Sequence, residues 1–311
     1  LDKTEMEKEK GVILEEIAMY DDLPMQKAPD IFENLLYSKS SLGRDILGTR
    51  ETIKNIKHKE VKNFIRSSYI PSNMVLSIAG RFDTDQVLEL SQKYFGELRG
   101  ENLTNMSNLL NFPNFNPSKK PELKILNRKS EQVHIVLGVR ANYQGHPDRY
   151  KESVMNAILG GGMSSRMWNE VREKRALVYY VKTYFDRYMD CGYFATRAGV
   201  KSKRVEEAIK VILEQYQNIT LKSGNLAITE KEASKAKEHI KGSLALDLED
   251  THSVSEFLGN QELFEGKIRT IEEIMRNIDL VTVDEISEMA QGFFQNSKLN
   301  LAIVGLVKDE E

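Results

Sequence analysis

At 311 residues the chain is too long for one typical domain and points to two. Its 40% hydrophobic and 29% charged composition is that of a folded globular protein. The net charge of -3 offers no basic footprint for nucleic acid and little attraction to an anionic membrane, so neither is expected as a partner.

The hydrophobic periodicity predicts helices over 3–20, 30–39, two pieces within 52–68, and 84–95, with an apolar strand at 73–80. The segment 111–121 carries three prolines among Asn and Lys residues and reads as a linker. Beyond it, strands are predicted at 132–139, 177–187, 192–200 and 299–305. Helices are predicted at 148–159, 164–175, 203–218, 229–248, 252–264, 271–276 and 283–294. No stretch approaches the ~20 apolar residues of a spanning helix. Strands mixed with long helices, without a βαβ rhythm, indicate an α+β fold. The single cysteine, Cys191, excludes an intrachain disulfide and reads as a small buried hydrophobe. It fits a reducing, cytoplasmic setting.

The chain contains a repeat. KEVKNFIRSSYIPSNMVLSIAG (59–80) and DEISEMAQGFFQNSKLNLAIVG (284–305) both read as amphipathic helix, aromatic residue, turn, and apolar strand ending in glycine. Glu60 aligns with Glu285, Tyr69 with Phe294 and Gly80 with Gly305. Upstream, SLG at 41–43 resembles FLG at 257–259. Helix–turn–strand units are common in mixed folds, so the likeness alone also fits coincidence; the second, colinear match favours duplication. The organisation expected is a first domain at 1–110, the linker at 111–121 and a second domain at 122–311. Each would be an antiparallel-type sheet flanked by helices. The first would be incomplete, short of about 100 residues that the second copy has.

The opening helix places Glu9 and Glu16 two turns apart, sharing a stripe with Met6, Ile13 and Tyr20. Carboxylates there are expected to be partly buried, which is costly without a partner or a metal. The same pattern also fits a charged surface helix. Two Glu do not complete a zinc site, which commonly takes three protein ligands. His58, His134, His146, His239 and His252 form no His-x-x-x-His pair, and each reads as an ordinary residue.

Four stretches carry a family resemblance: EKEKGVILEE (7–16), YIPSNMVLSIAG (69–80), GGGMSSR (160–166) followed by VREKRALVY (171–179), and HIKGSL (239–244) through Glu249 to Thr251. Together they resemble the insulinase/pitrilysin-type zinc peptidases, the family of mitochondrial processing peptidase and its bacterial homologues. The resemblance implies that Glu16 is a zinc ligand and Glu9 a supporting acid. It implies that Arg172 and Tyr179 hold the substrate backbone and stabilise the developing oxyanion, and that Gly160, Gly161 and Gly162 line a chamber. Both Arg and Tyr donate hydrogen bonds, which suits that role. Taken without the family, Arg172 also fits a surface helix, Tyr179 a strand aromatic, and the glycines a turn at a helix start.

The family's zinc is held by an inverted His-x-x-Glu-His helix, with the third ligand from a later helix. No His-x-x-Glu-His occurs in these 311 residues. The resemblance therefore implies a zinc-dependent endopeptidase for unfolded peptides or presequences, with two His ligands outside this segment. The alternative is a non-catalytic subunit of a two-subunit peptidase or assembly complex. Family members of this size commonly pair as a homodimer or with a related second subunit, closing a clamshell.

Overall fold

The computed structural model describes residues 1–97 and 120–306. Residues 111–119 of the expected linker lie outside the described residues. The described chain divides into two compact units. One comprises residues 1–15, 48–97 and 243–270; the other comprises 16–47, 120–242 and 271–306.

The larger unit holds a five-stranded sheet of β1 (Glu122–Asn127), β2 (Gln132–Ala141), β3 (Val178–Arg187), β4 (Gly192–Lys201) and β5 (Asn300–Gly305). The strand order is β1-β5-β2-β4-β3. All pairings are antiparallel except β1 with β5, so the sheet is mixed rather than purely antiparallel. The fold is α+β, as the sequence implies. The sequence pattern did not show β1, whose side chains are largely exposed.

Central strand β2 is buried without a break from Val133 to Val139, because both its faces are covered. A helix at Pro24–Tyr37 lies against β5, β2 and β1, burying Phe32, Leu36 and Tyr37 with Val136, Ala302 and Val304. The other face packs on helices Arg149–Gly160, Val205–Asn218, Ile271–Leu280 and Val283–Phe293. There Tyr216 stacks on Phe294 at 4.3 Å and its hydroxyl donates to the Leu137 carbonyl at 2.9 Å. Numbered through the chain, the helices are α1 (Lys3–Asp21), α2 (Pro24–Tyr37), α3 (Arg50–Asn55), α4 (His58–Ser68), α5 (Thr84–Phe95), α6 (Arg149–Gly160), α7 (Val205–Asn218), α8 (Glu230–Asp247), α9 (Thr251–Glu265), α10 (Ile271–Leu280) and α11 (Val283–Phe293). None of the described helices is long and apolar enough to cross a membrane.

The repeat is present in the backbone. At the start of α4 the Glu60 carboxylate accepts from the Lys57 N–H at 2.7 Å, and at the start of α11 Glu285 accepts from the Thr282 N–H at 3.0 Å within a full capping box. Tyr69 and Phe294 occupy the two C-caps, with φ of -91° and -87°. A 3₁₀ turn follows each, Pro71–Asn73 and Asn296–Lys298. Each copy ends in a glycine of positive φ, +144° at Gly80 and +148° at Gly305, where a side chain would be strained. The expected strand at 73–80 is different. Residues 74–79 have no strand partner among the described residues, and Met74, Val75, Leu76 and Ile78 are exposed. The segment is held instead by two reciprocal bonds, Ser77 Oγ to the Ser255 carbonyl at 2.7 Å and Ser255 Oγ to the Ser77 carbonyl at 2.9 Å.

One charge is fully buried in the larger unit. Glu152 on α6 accepts two hydrogen bonds from the Arg187 guanidinium, at 2.7 and 2.9 Å, and one from Asn142 Nδ2 at 2.9 Å. This network ties α6 to the far end of β3. Removing one partner leaves a buried charge uncompensated. Arg187→Ala, which leaves the fully buried Glu152 unpaired, should therefore lower unfolding stability by about 3–5 kcal/mol in urea titration; a loss within the scatter of an exposed ion pair would refute that role.

Candidate functional site

The glycine-rich signature ends a helix rather than starting one. Gly160 closes α6, and Gly161 is its C-cap. None of Gly160, Gly161 and Gly162 has a positive φ, so conformational freedom is not the reason for them. Space is the reason for two. A Cβ on Gly160 would lie 2.7 Å from the Thr183 backbone nitrogen on β3, and one on Gly161 would lie 2.7 Å from Ala157 Cα. Gly162 is exposed, with His239 the nearest side chain at 3.7 Å. His239 reaches across from α8 to within 2.9 Å of the Gly161 carbonyl. A cavity of about 440 Å³ lies at this turn, lined by Ile158, Gly162, Met163, Ser164, Lys235 and His239 among others. The sequence pattern gave His239 no role here.

The cations that follow the glycines are committed to structure, with one exception. Arg166 makes a two-pronged ion pair with Glu232, both bonds at 2.7 Å, and donates to the Leu226 and Ala227 carbonyls. Lys174 and Arg175 both pair with Glu170. Arg204 pairs with Glu207 and donates to the Arg175 carbonyl. The Arg172 side chain makes no hydrogen bond or ion pair to any described residue. Its guanidinium carbon lies over the Trp168 ring, 4.1 Å from the centroid, and Trp168 is itself fixed by an Nε1 bond to Glu173 at 3.0 Å. The planar cation is thus positioned while its N–H groups stay available.

The backbone carrying Arg172 and Tyr179 is irregular at three places. Where a plain helix is expected at 164–175, residues Trp168–Glu173 form a π-helical turn, with the Lys174 N–H bonded five residues back to the Asn169 carbonyl at 2.9 Å. The turn closes through Ala176, a non-glycine residue in the left-handed region at φ +49°. The N–H groups of Ala176 and Leu177 take the Arg172 and Val171 carbonyls, a cap of Schellman type with an extra residue. Two residues on, β3 bulges. Val178 faces Val200 and Tyr180 faces Gly199, leaving Tyr179 as the inserted residue. Val178 and Val181 both point into the core as a result, and Tyr179 is half exposed. Its hydroxyl makes no hydrogen bond to a described residue. Such strained or inserted residues cluster at functional sites. A sequence signal existed: Val178 and Val181 are three apart in a strand whose period is two.

The acidic helix is less enclosed than its pattern suggests. Its covered stripe runs through Met6, Lys10, Ile13, Ile17 and Asp21, with Ile17 buried. Glu16 lies on the flank of that stripe and is half-buried, whereas Glu9 is exposed. The expected partial burial of Glu9 is therefore overturned, because the stripe is centred about a quarter-turn away. Among the described residues no three His, Cys, Asp or Glu side chains come together to hold a metal ion. Glu16 can offer one carboxylate, and zinc commonly takes three protein ligands. His134, read as an ordinary strand residue, is buried, 3.0 Å from the Tyr180 hydroxyl, and burial lowers its pKa. Cys191 is half-buried rather than buried, and burial still pushes its thiol up to about 12.

The larger unit thus presents a mixed sheet flanked by helices, with a glycine-closed helix and an uncommitted Arg/Tyr pair beside it. The family profile described as the peptidase M16 inactive domain matches residues 55–240. The chain is 34% identical over 295 residues to the uncharacterized zinc protease YmxG of Bacillus subtilis, covering 94% of this chain and 69% of that protein. It is 30% identical over 314 residues to an uncharacterized zinc protease of Streptomyces coelicolor, covering 100% of this chain and 67% of that protein. The chain belongs to the M16 peptidase family, as its insulinase/pitrilysin-like motifs imply. It spans about two thirds of the length of these relatives. Two solved structures share the fold at a TM-score of 0.85. One is a peptidase M16 inactive domain from Pseudomonas fluorescens, at 19% identity over 100% of this chain and 72% of that one. The other is a protease from Helicobacter pylori, at 20% identity over 98% and 73%.

The left-handed Ala176 gives a direct check on the local strain. Ala176→Gly should leave the fold intact and raise unfolding stability by up to about 1 kcal/mol, since a left-handed residue with a Cβ costs roughly that much. A loss of stability on thermal melting would contradict the assigned conformation.

Proposed function

We propose that this chain supplies the substrate-holding part of a zinc-dependent endopeptidase that cleaves unfolded peptides or presequences inside a clamshell chamber. One observation carries the reading. Of the cations along the glycine-rich signature, Arg172 alone is held in place with its donors unspent, and Tyr179 is set outward by a one-residue insertion nearby. Aimed donors of this kind hold a peptide backbone and stabilise negative charge developing on its carbonyl oxygen. Tyr179 can donate one hydrogen bond and the guanidinium several.

Metal chemistry enters this reading from outside the described residues. The relatives are called zinc proteases, and a zinc ion supplies an activated water and polarises a carbonyl. The described residues do not build that centre. In this reading Glu16 is one carboxylate ligand, Glu9 a supporting acid beside it, and two histidines come from sequence beyond these 311 residues or from a partner. Homodimerisation or pairing with a related subunit would close the chamber. A second reading, a non-catalytic partner subunit, is favoured by the matched profile being the inactive domain. A chain of Complex III2 from Candida albicans also shares the fold at a TM-score of 0.82 and 19% identity.

Both readings are separable in the natural full-length protein. Zinc content near one per chain supports the peptidase, and none supports the subunit. Glu16→Gln should sharply lower zinc retention measured by metal analysis; retention equal to the parent would remove Glu16 from the ligand set. Arg172→Ala and Tyr179→Phe should leave zinc content alone and lower kcat/KM on an unfolded peptide by about 10²–10³-fold, the usual cost of losing one such donor. Full activity in both variants would sink the substrate-holding role.

A further inference from the structure

The face of the sheet onto which Tyr179 turns carries a row of cations. Along β4, Arg197 and Lys201 alternate with buried residues and share one face. Lys201 Nζ lies 6.0 Å from the centre of the Tyr179 ring. Arg197 stands directly opposite Lys182 of β3 in the strand register. Like charges directly opposite across a sheet destabilise it. No carboxylate of a described residue pairs with Arg197, Lys182 or Lys201.

Polar atoms around Arg197 are left unpaired. Its Nε is buried and makes no hydrogen bond, and the hydroxyl of Tyr184, also buried, makes none. The guanidinium lies 5.8 Å from the Tyr184 ring centre. Burial first, and the neighbouring Asp186 carboxylate second, raise the Tyr184 pKa, so its hydroxyl keeps its proton and can donate. On the other side, the Tyr180 ring lies over Gly199, where a Cβ would come within 2.5 Å of it, and its hydroxyl is 3.0 Å from His134 Nδ1. Two acids on this side, Asp186 and Glu33, take the Tyr193 hydroxyl at 2.6 and 3.5 Å; Asp186 is two residues along β3 from Tyr184, roughly 7 Å at about 3.3 Å per residue. Tyr193 is four residues along β4 from Arg197, roughly 13 Å at about 3.3 Å per residue.

We propose that Arg197, Lys182 and the Tyr184 hydroxyl form a carboxylate site on the peptide-facing side of the sheet. The inference rests on the peptide-holding reading and deepens it by naming a substrate class: extended peptides carrying an acidic side chain or a free C-terminal carboxylate. A guanidinium can clasp a carboxylate with two parallel bonds, and a bound anion relieves the Lys182–Arg197 repulsion. Register puts Arg197 two residues along β4 from Gly199, the partner of Tyr180. The carboxylate therefore falls roughly 7 Å along the strand from the backbone held beside Tyr179.

The test uses the natural full-length protein with EDTA present, so that nothing is cleaved, and fluorescence anisotropy of labelled unfolded peptides. Four peptides differ only in charge: one with a Glu and a free C-terminus, one with that Glu changed to Gln, one amidated at the C-terminus, and one with both changes. The fully charged peptide should bind about tenfold more tightly than the fully neutral one, as one charge-assisted contact provides. Arg197→Gln and Lys182→Gln should each bring that ratio towards one. The single-change peptides show which carboxylate is the source. Equal binding of all four by the parent protein, or an undiminished ratio in both variants, overturns the carboxylate site and leaves the peptide-holding reading standing. Binding of none of the four overturns both. Lys182 is exposed, so its variant decides the matter if Arg197→Gln does not fold.

Discussion

The inserted residue at Tyr179 is the constraint on which the functional face depends. A strand alternates sides with a period of two, so Val178 and Val181 could not both be core residues in a regular β3. The insertion lets both enter the core and sends two adjacent tyrosines outward. It also sets the register of everything after it. Lys182 meets Arg197 and Phe185 meets Phe194 because the shift has already been made upstream. The π turn and the left-handed Ala176 act in the same direction, fitting an over-long connection between α6 and β3 without loosening either.

Rigidity on one side of β3 supports availability on the other. The core side is fixed by Gly160 packed on Thr183, by the buried Glu152–Arg187 pair and by the aromatic cluster of Phe185, Phe194, Tyr216 and Phe294. Donors that hold a substrate act well only if they do not reorganise when it arrives. Arg172 meets that condition through a ring contact: the guanidinium sits over Trp168 without consuming an N–H. A carboxylate partner would have fixed it equally well and silenced it, which is the fate of Arg166, Lys174 and Arg175 in the same stretch.

Much of the architecture was legible in the sequence. The helix at Thr84–Phe95, the strands around β2, β3 and β4, and the helix–turn–strand repeat followed from periodicity and capping residues that act locally. What was not legible depended on partners distant in sequence. β1 lacks a buried face and so lacks an apolar alternation. Segment 74–79 has the composition of a strand, yet a strand exists only where a neighbour offers hydrogen bonds. Glu9 and Glu16 share a stripe by spacing, but which side of α1 is covered depends on what packs against it. For the site, the motif residues Arg172 and Tyr179 could be picked out, whereas their availability could not. That depends on which neighbouring carboxylates choose Lys174 and Arg175 instead. An arginine at 197 in the midst of buried GYFATRAGV was a visible anomaly that periodicity alone does not interpret.

The close backbone match between the two copies of the repeat also creates a hazard of mistaken identity during folding. Residues 74–79 and β5 share the same approach, the same turn and the same terminal glycine geometry, so nothing in the main chain bars one from occupying the other's slot. The side chains do. In the shared register Ser77 would take the place of Ala302 and Ala79 that of Val304, both fully buried against α2. The exchange would bury a hydroxyl now bonded to Ser255 and open a void where Val304 fills space. Sequence divergence between the copies, often read only as elapsed time, therefore also acts as proofreading between internal duplicates that would otherwise compete for one position in the sheet.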